Sequence, residues 1–308
     1  MKRLGLPAVI VVLTVLHHLV VAQSTPPDTV QVQVDTLRWK NKLNFAINLN
    51  QASFSSNWKG GGINSIGMNA LFNYQADFQD GRRSWDNDID LAFGFVNNSG
   101  QGYRKTLDRI YLDTKFGYKL SDSWGLFTAL NFLTQFDNGY QYQGDSAKRM
   151  ISDAFAPAFI TSTWGFEYHP SQFFTMRISP FAPRITIVRN PERFVATVGP
   201  EPYGVVPGET TRIEWLSAQL LAEFNKDIFT NVNLKWRYLL YANYDTLRAR
   251  TLDHRLDLDL VAKVNRFINV SVGGIFLYDY DQDTDAQLSQ VFSLGFLYTF
   301  QNSVTPPK

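Results

Sequence analysis

The stretch LDHRLDLDLVAKV, residues 252–264, alternates almost without a break. Leu252, His254, Leu256, Leu258, Leu260, Ala262 and Val264 fall on one phase. Asp253, Arg255, Asp257, Asp259, Val261 and Lys263 fall on the other. Successive strand side chains point to opposite faces, so this pattern predicts a strand with one apolar and one charged face.

The same sorting recurs outward from there. Val232, Leu234, Trp236, Tyr238, Leu240 and Ala242 oppose Asn231, Asn233, Lys235 and Arg237. Ile110, Leu112, Phe116, Tyr118 and Leu120 oppose Arg109, Asp113, Lys115 and Lys119. Trp85, Ile89, Leu91, Phe93 and Phe95 oppose Asp86, Asp88, Asp90 and Gly94. Twelve segments are predicted: 42–51, 63–78, 84–97, 107–120, 123–137, 155–168, 172–189, 211–226, 229–244, 251–265, 267–280 and 288–300. Most exceed the ten residues or so that a tilted strand needs to cross a bilayer, whereas soluble strands average about five or six. Short turns near 79–83, 121–122, 170–171, 226–227 and Arg266 alternate with longer loops at 52–62, 98–106, 138–154, 190–210, 245–250 and 281–287. That asymmetry predicts an all-β fold: a single transmembrane, up-and-down antiparallel barrel of about 12 strands over 41–300. The even count places both termini on the periplasmic side. Pro180, Pro183, Pro191, Pro200, Pro202 and Pro207 crowd one region. Proline removes a ladder donor, so the seventh strand is expected to bend or split.

Composition narrows the function classes. The 308 residues carry 29 Lys and Arg against 28 Asp and Glu, without the basic excess of a nucleic-acid binder. The absence of Cys excludes disulfides, thiolate metal sites and Cys nucleophiles. A mean hydropathy of -0.19 excludes a polytopic helical membrane protein. Yet there are 24 Phe, 14 Tyr and 7 Trp, many for a soluble domain with 19% charged residues. Lys2 and Arg3 followed by the apolar run Leu4 to Ala22 predict a secretory signal peptide over 1–22. A polar periplasmic leader is expected at 23–40 and a short C-terminal tail at 301–308. The expected destination is the outer membrane of a Gram-negative cell.

In a barrel the aromatic excess acquires a place. Trp85, Tyr118, Trp124, Tyr168, Phe224, Phe229, Phe267 and Phe300 lie near short turns, where interfacial rings belong. Phe95, Phe136, Tyr244 and Tyr278 are candidates for the other rim. The last strand, LGFLYTF, resembles the C-terminal strand that barrel-assembly machinery recognises. The stretch Asn50 to Ser65 reads N-Q-A-S-F-S-S-N-W-K-G-G-G-I-N-S. It resembles the motif of an uncharacterised outer-membrane barrel family of the Bacteroidetes, a domain of unknown function. The resemblance implies location and fold, with no activity attached. Within it Asn57, Trp58, Gly60, Gly61, Gly62 and Asn64 form the candidate first-loop site, its glycines permitting a tight or left-handed backbone.

The charged phase is the candidate lumen. Asp86, Asp88, Asp90, Asp113, Asp253, Asp257 and Asp259 oppose Arg109, Lys115, Lys119, Lys235, Arg237, Arg255 and Lys263. Seven against seven argues for a small lumen knitted by ion pairs rather than a wide selective pore. Pairs such as Asp88–Lys115 and Arg237–Asp259 are expected if the register allows. Catalysis is not expected. After the signal only His169 and His254 are present, His254 on the lipid phase and His169 at a turn near the interface. The run DYDQDTD, 279–285, departs from the calcium loop of an EF-hand at Thr284 and Gln290 and reads as a solvated acidic loop. No metal or cofactor is expected. Expected partners are outer-membrane lipid, the assembly machinery and a periplasmic or surface protein, with no nucleic acid. The leading functional expectation is a narrow small-solute pore without strong charge selectivity. The alternative is a closed structural or partner-binding barrel, and a lipid-acting enzyme is a distant third.

Overall fold

A computed structural model describes residues 38–55, 63–143, 147–265 and 267–302. Its strands are β1 (Trp39–Ala52), β2 (Ser65–Asp80), β3 (Arg83–Asn98), β4 (Gly102–Lys119), β5 (Trp124–Thr134), β6 (Gly139–Gln143), β7 (Ala147–Ser152) and β8 (Ala158–Ser171). They continue with β9 (Phe174–Phe181), β10 (Arg184–Ile187), β11 (Thr211–Glu214), β12 (Ser217–Phe229), β13 (Val232–Asn243), β14 (Asp253–Lys263), β15 (Ile268–Tyr278) and β16 (Gln287–Gln301). No described helix is long and apolar enough to cross a membrane.

Twelve of these strands close into an antiparallel ring. Its order is β8, β5, β4, β3, β2, β1, β16, β15, β14, β13, β12, β9, and β9 returns to β8. The first and last strands join through Lys42 opposite Gln301 to Asn48 opposite Gly295, so neither keeps an open edge. The predicted twelve-stranded barrel is what forms.

Polarity is inverted relative to a soluble protein. Leu288, Phe292 and Phe229 are 81%, 69% and 71% exposed, while Lys115 and Glu167 are 5% and 4% exposed. The apolar phase of each strand faces outward and the polar phase inward, as a lipid solvent demands. Rings gather near the short-turn rim: Trp39 lies tilted against Phe78 and Trp85, Trp124 lies 4.7 Å from Tyr168, and Phe224 lies parallel to Trp236.

Three connections differ from the expected ones, and the break expected in the seventh segment is present. The seventh segment splits at Ala182–Pro183 into β9 and β10, and β10 pairs with the far end of β8. The eighth splits too, at Trp215–Leu216, into β11 and β12. The Ala182 amide donates to the Ser217 carbonyl at 2.7 Å and the Ser217 hydroxyl to the Ala182 carbonyl at 2.6 Å, bridging both breaks. The loop expected at 98–106 is a tight turn, because Gly100 and Gly102 hold φ of +84° and +71° and let β3 and β4 run on. Between β5 and β8 the chain builds an extra hairpin, β6–β7.

Ring closure depends on a close approach at Gly165, where β8 changes register against β9. A Cβ there would lie 2.0 Å from the Ile178 carbonyl oxygen. Gly165→Ala is expected to cost about 1–3 kcal/mol by overpacking, read as a lower urea midpoint of the purified barrel in detergent. Gly274→Ala, whose Cβ meets nothing closer than 4.0 Å, is the control expected to leave the midpoint in place.

Candidate functional site in the barrel lumen

The inward phases converge at mid-height on a belt of ion pairs. Arg109 on β4 donates to both carboxylate oxygens of Asp90 on β3 at 2.8 Å. Its other terminal nitrogen lies 3.8 Å from Asp257 on β14, six positions away in a ring of twelve, so this contact spans the lumen. Arg255 holds the same Asp257 through two bonds of 2.8 Å. Arg237 on β13 donates to the Tyr111 hydroxyl on β4 and lies over that ring at 4.5 Å.

Arg177 on β9 is the hub of the short-turn side. It donates to Asp113 at 3.0 Å and to Glu167 at 3.2 Å, with Glu223 at 4.0 Å. Lys115 bridges Glu167 at 2.5 Å and Asp86 at 2.9 Å, and Asn131 donates to Asp113. These charges are buried yet mutually compensated, the condition under which a buried ion is tolerated.

On the long-loop side Arg184 donates to Asp253 at 3.2 Å and lies 3.4 Å over Tyr241. Glu214 accepts from Arg212 at 3.0 Å and from Asn243 at 2.8 Å, and Arg212 reaches Asp281 at 2.5 Å. Above them the 188–210 loop has a core of its own, with Val188, Phe194 and Val205 fully buried against Met150, Val198 and Tyr203. The Tyr203 hydroxyl donates to the Ile151 carbonyl at 2.5 Å, and Arg193 pairs with Asp153 at 2.6 Å. Tyr203 also lines a small polar pocket with Arg184, Asp253 and Asp279, so this loop assembly reaches into the lumen's long-loop end. At the short-turn end the lumen widens into a cavity of about 250 Å³.

Of the fourteen charges assigned to the lumen from the sequence, Asp86, Asp90, Arg109, Asp113, Lys115, Arg237, Asp253, Arg255 and Asp257 sit in these networks. Asp88 accepts from Asn73 at 2.7 Å and lines the cavity with Lys235, which stands opposite Asp259 on the ladder. Lys119 pairs with Asp122 at the rim, and Lys263 is exposed near the short turns. In the first loop Asn64 accepts from the Phe54 amide at 2.6 Å, tying its base. Asn57, Trp58, Gly60, Gly61 and Gly62 lie outside the described residues, as do the signal peptide and most of the leader and tail.

Both example pairs are displaced by one rung. The ladder sets Asp86, not Asp88, opposite Lys115, and Lys235, not Arg237, opposite Asp259. His169 is not at the interface. It turns inward, 3.0 Å from Glu167 and 3.2 Å from the Thr175 hydroxyl. His254 does lie on the outer phase, beside the Tyr238 hydroxyl at 2.8 Å. The acidic loop is not wholly solvated: Asp279 is buried against Gln282, and Asp281 engages Arg212. Glu167, Arg177, Arg184, Glu214, Glu223 and Tyr111 were not singled out from sequence, although each shares the inward parity of its strand. A phase count across every segment would have found Glu167 beside Thr161 and Thr163.

Residues 49–140 match a family described as "Protein of unknown function (DUF3078)", bearing out the resemblance carried by Asn50 to Ser65. No curated protein matches the sequence. Among solved structures the chain is similar to the translocator domain of the autotransporter NalP from Neisseria meningitidis, at 8% identity and TM-score 0.39, covering 87% of this chain and 90% of that one. It is also similar to the COG4313 outer membrane channel from Pseudomonas putida F1, at 8% identity and TM-score 0.39, covering 90% and 100%. A third is the NanC porin, at 8% and 0.38, covering 84% and 97%.

Two outcomes follow from the networks. Arg177→Met strands Asp113, Glu167 and Glu223 beside each other, and is expected to cost about 3–5 kcal/mol in detergent unfolding. Arg177→Lys, a point charge in place of a fork, should recover only part of it. In the outer loop, burial raises the Asp279 carboxyl above its ordinary value of 3.8. A raised acid binds its proton more tightly in the folded loop, so loop stability falls as pH rises from that ordinary value through the raised one. Limited proteolysis of the 279–286 loop should therefore accelerate with pH, and Asp279→Asn should flatten the profile.

Proposed function

We propose that this protein is an outer-membrane barrel, its signal peptide removed on export, that serves as a narrow conduit for small polar solutes without strong charge selectivity. The observation that carries the reading is the polar cavity at one end of a lumen whose mid-height is narrowed by side chains rather than by backbone. An opening made by rearranging Arg109, Arg237 and their partners needs no change in the strand ring. The mixed signs along the path support weak selectivity, since a selective pore lines its constriction with one sign. Catalysis has no part in this reading, and no cofactor or metal is invoked.

A second reading, a closed barrel that binds a partner through its long loops, is favoured by the Arg109–Asp257 contact across the lumen and by the packed loop core at Phe194. Planar bilayers separate the two. The conduit reading expects small, weakly selective current steps from the purified protein, and several-fold larger steps from an Arg109→Ala, Arg237→Ala double variant. Silence from both proteins overturns it and leaves the closed barrel, for which proximity labelling at the 138–154 and 190–210 loops should then recover one reproducible partner.

A further inference from the structure

The cavity of about 250 Å³ at the short-turn end has three carboxylates on one wall and two cations on the wall opposite. Asp77, Asp86 and Asp88 line it from β2 and β3, while Lys235 and Arg237 line it from β13, with Glu223 of β12 beside Arg237. β3 and β13 stand six positions apart in the ring of twelve, so the acidic and basic walls face each other across the barrel's diameter. Thr175 on β9 adds a neutral hydroxyl between them. Deeper in, the Arg177 and Arg237 contacts to Asp113, Tyr111 and Glu223 form the floor. The result is a cup facing the short-turn side.

Several of these charges are already engaged: Asp86 with Lys115, and Arg237 with Tyr111 and Glu223. Asp88 is held by the neutral Asn73 amide, and Lys235 faces it from the opposite wall. A lone cation entering the cup gains from Asp88 and Asp77 but meets Lys235 and Arg237, and a lone anion meets the reverse. A molecule with an ammonium at one end and a carboxylate at the other satisfies both walls at once. The low-dielectric barrel wall screens these fields less than bulk water does, which sharpens the preference for that orientation.

The geometry points to this cup as a binding site for small zwitterions bearing both an ammonium and a carboxylate, the chemistry of free α-amino acids and short peptides. The ammonium is held at Asp88 and Asp77, and the carboxylate at Lys235 and Arg237. The site deepens the conduit reading by naming a solute class, and it rests on that reading for access through the short-turn mouth.

The test is saturation-transfer NMR on the full-length mature protein in lipid nanodiscs, with diglycine, ethylamine and acetate as probes. Diglycine is expected to bind saturably, and ethylamine and acetate to bind about tenfold more weakly or less. Asp88→Asn and Lys235→Gln should each weaken diglycine severalfold. Equal binding of acetate or ethylamine overturns the proposal, as does unchanged diglycine binding in both variants. Heat-modifiable migration in gels confirms that each variant folds, and Asp77→Asn reads the acidic wall if Asp88→Asn does not. Binding without bilayer current removes the conduit and leaves the cup, whereas current without diglycine binding removes the cup alone.

Discussion

In hydrocarbon a backbone amide or carbonyl has no water to turn to, and each unpaired group costs several kcal/mol. A sheet can meet that demand only by having no edge. Everything else in this barrel follows from the two seams that remove its edges. One joins β1 to β16, where the termini of the described barrel meet in register from Lys42 to Asn48. The other joins β8 to β9, and it is irregular, with register shifts on both sides of Phe166 and Tyr168. The bent β9–β10 strand exists because the proline pair at 180 and 183 forbids a straight one. The ring tolerates the bend because Ala182 and Ser217 satisfy each other across it.

Closure fixes which phase of each strand faces lipid, and that fixes where the charges go. Lys115 and Glu167 are among the most buried charged side chains of the molecule while Phe292 and Leu288 stand bare. In water that arrangement would be unstable. With lipid outside it is the lower-energy one, provided every inward charge finds a counter-charge. The arginines meet this condition because a planar guanidinium serves several carboxylates at fixed angles. Arg177 spans Asp113 and Glu167 in a way that a lysine, with one point charge, does not.

The barrel itself was legible in sequence because alternation, strand length and turn asymmetry are all local. Residues 252–264 declare both faces of β14 without reference to anything else. What was not legible depends on distant chain. The rung that sets Asp86 rather than Asp88 opposite Lys115 is decided by where the 81–82 and 99–101 turns end, a matter of one or two residues. Glu223 shares its phase with Leu221, and Arg177 lies in a segment whose alternation breaks at Pro180 and Pro183, so their inward direction is clear only once β9 and β12 are paired. His169, a residue beside a turn, was expected at the interface, but it keeps the inward phase of Glu167 two residues before it. The loop core at Val188, Phe194 and Val205 could not be read at all, since it joins positions of one irregular loop, and Met150 of β7, that share no period.

The ladder contains pairs that look wrong in isolation. Asp77 stands directly opposite Asp86, and Asp88 directly opposite Asp113. Like charges at facing positions destabilise a hairpin, so β2, β3 and β4 are penalised as an isolated sheet. Within the sheet Lys115 reaches Asp86 and Arg109 holds Asp90, but further cations come from elsewhere: Arg177 from β9, and Lys235 and Arg237 from β13. The cations of β9 and β13 arrive only when the ring closes. The ion pairs therefore do more than fill the lumen. They couple the early strands to the late ones, so the acidic sheet is stable in the closed register and penalised in open or slipped ones. The near-neutral lumen is thus a property of the closed barrel, assembled from charged strands such as β3 and β13 that are out of balance alone.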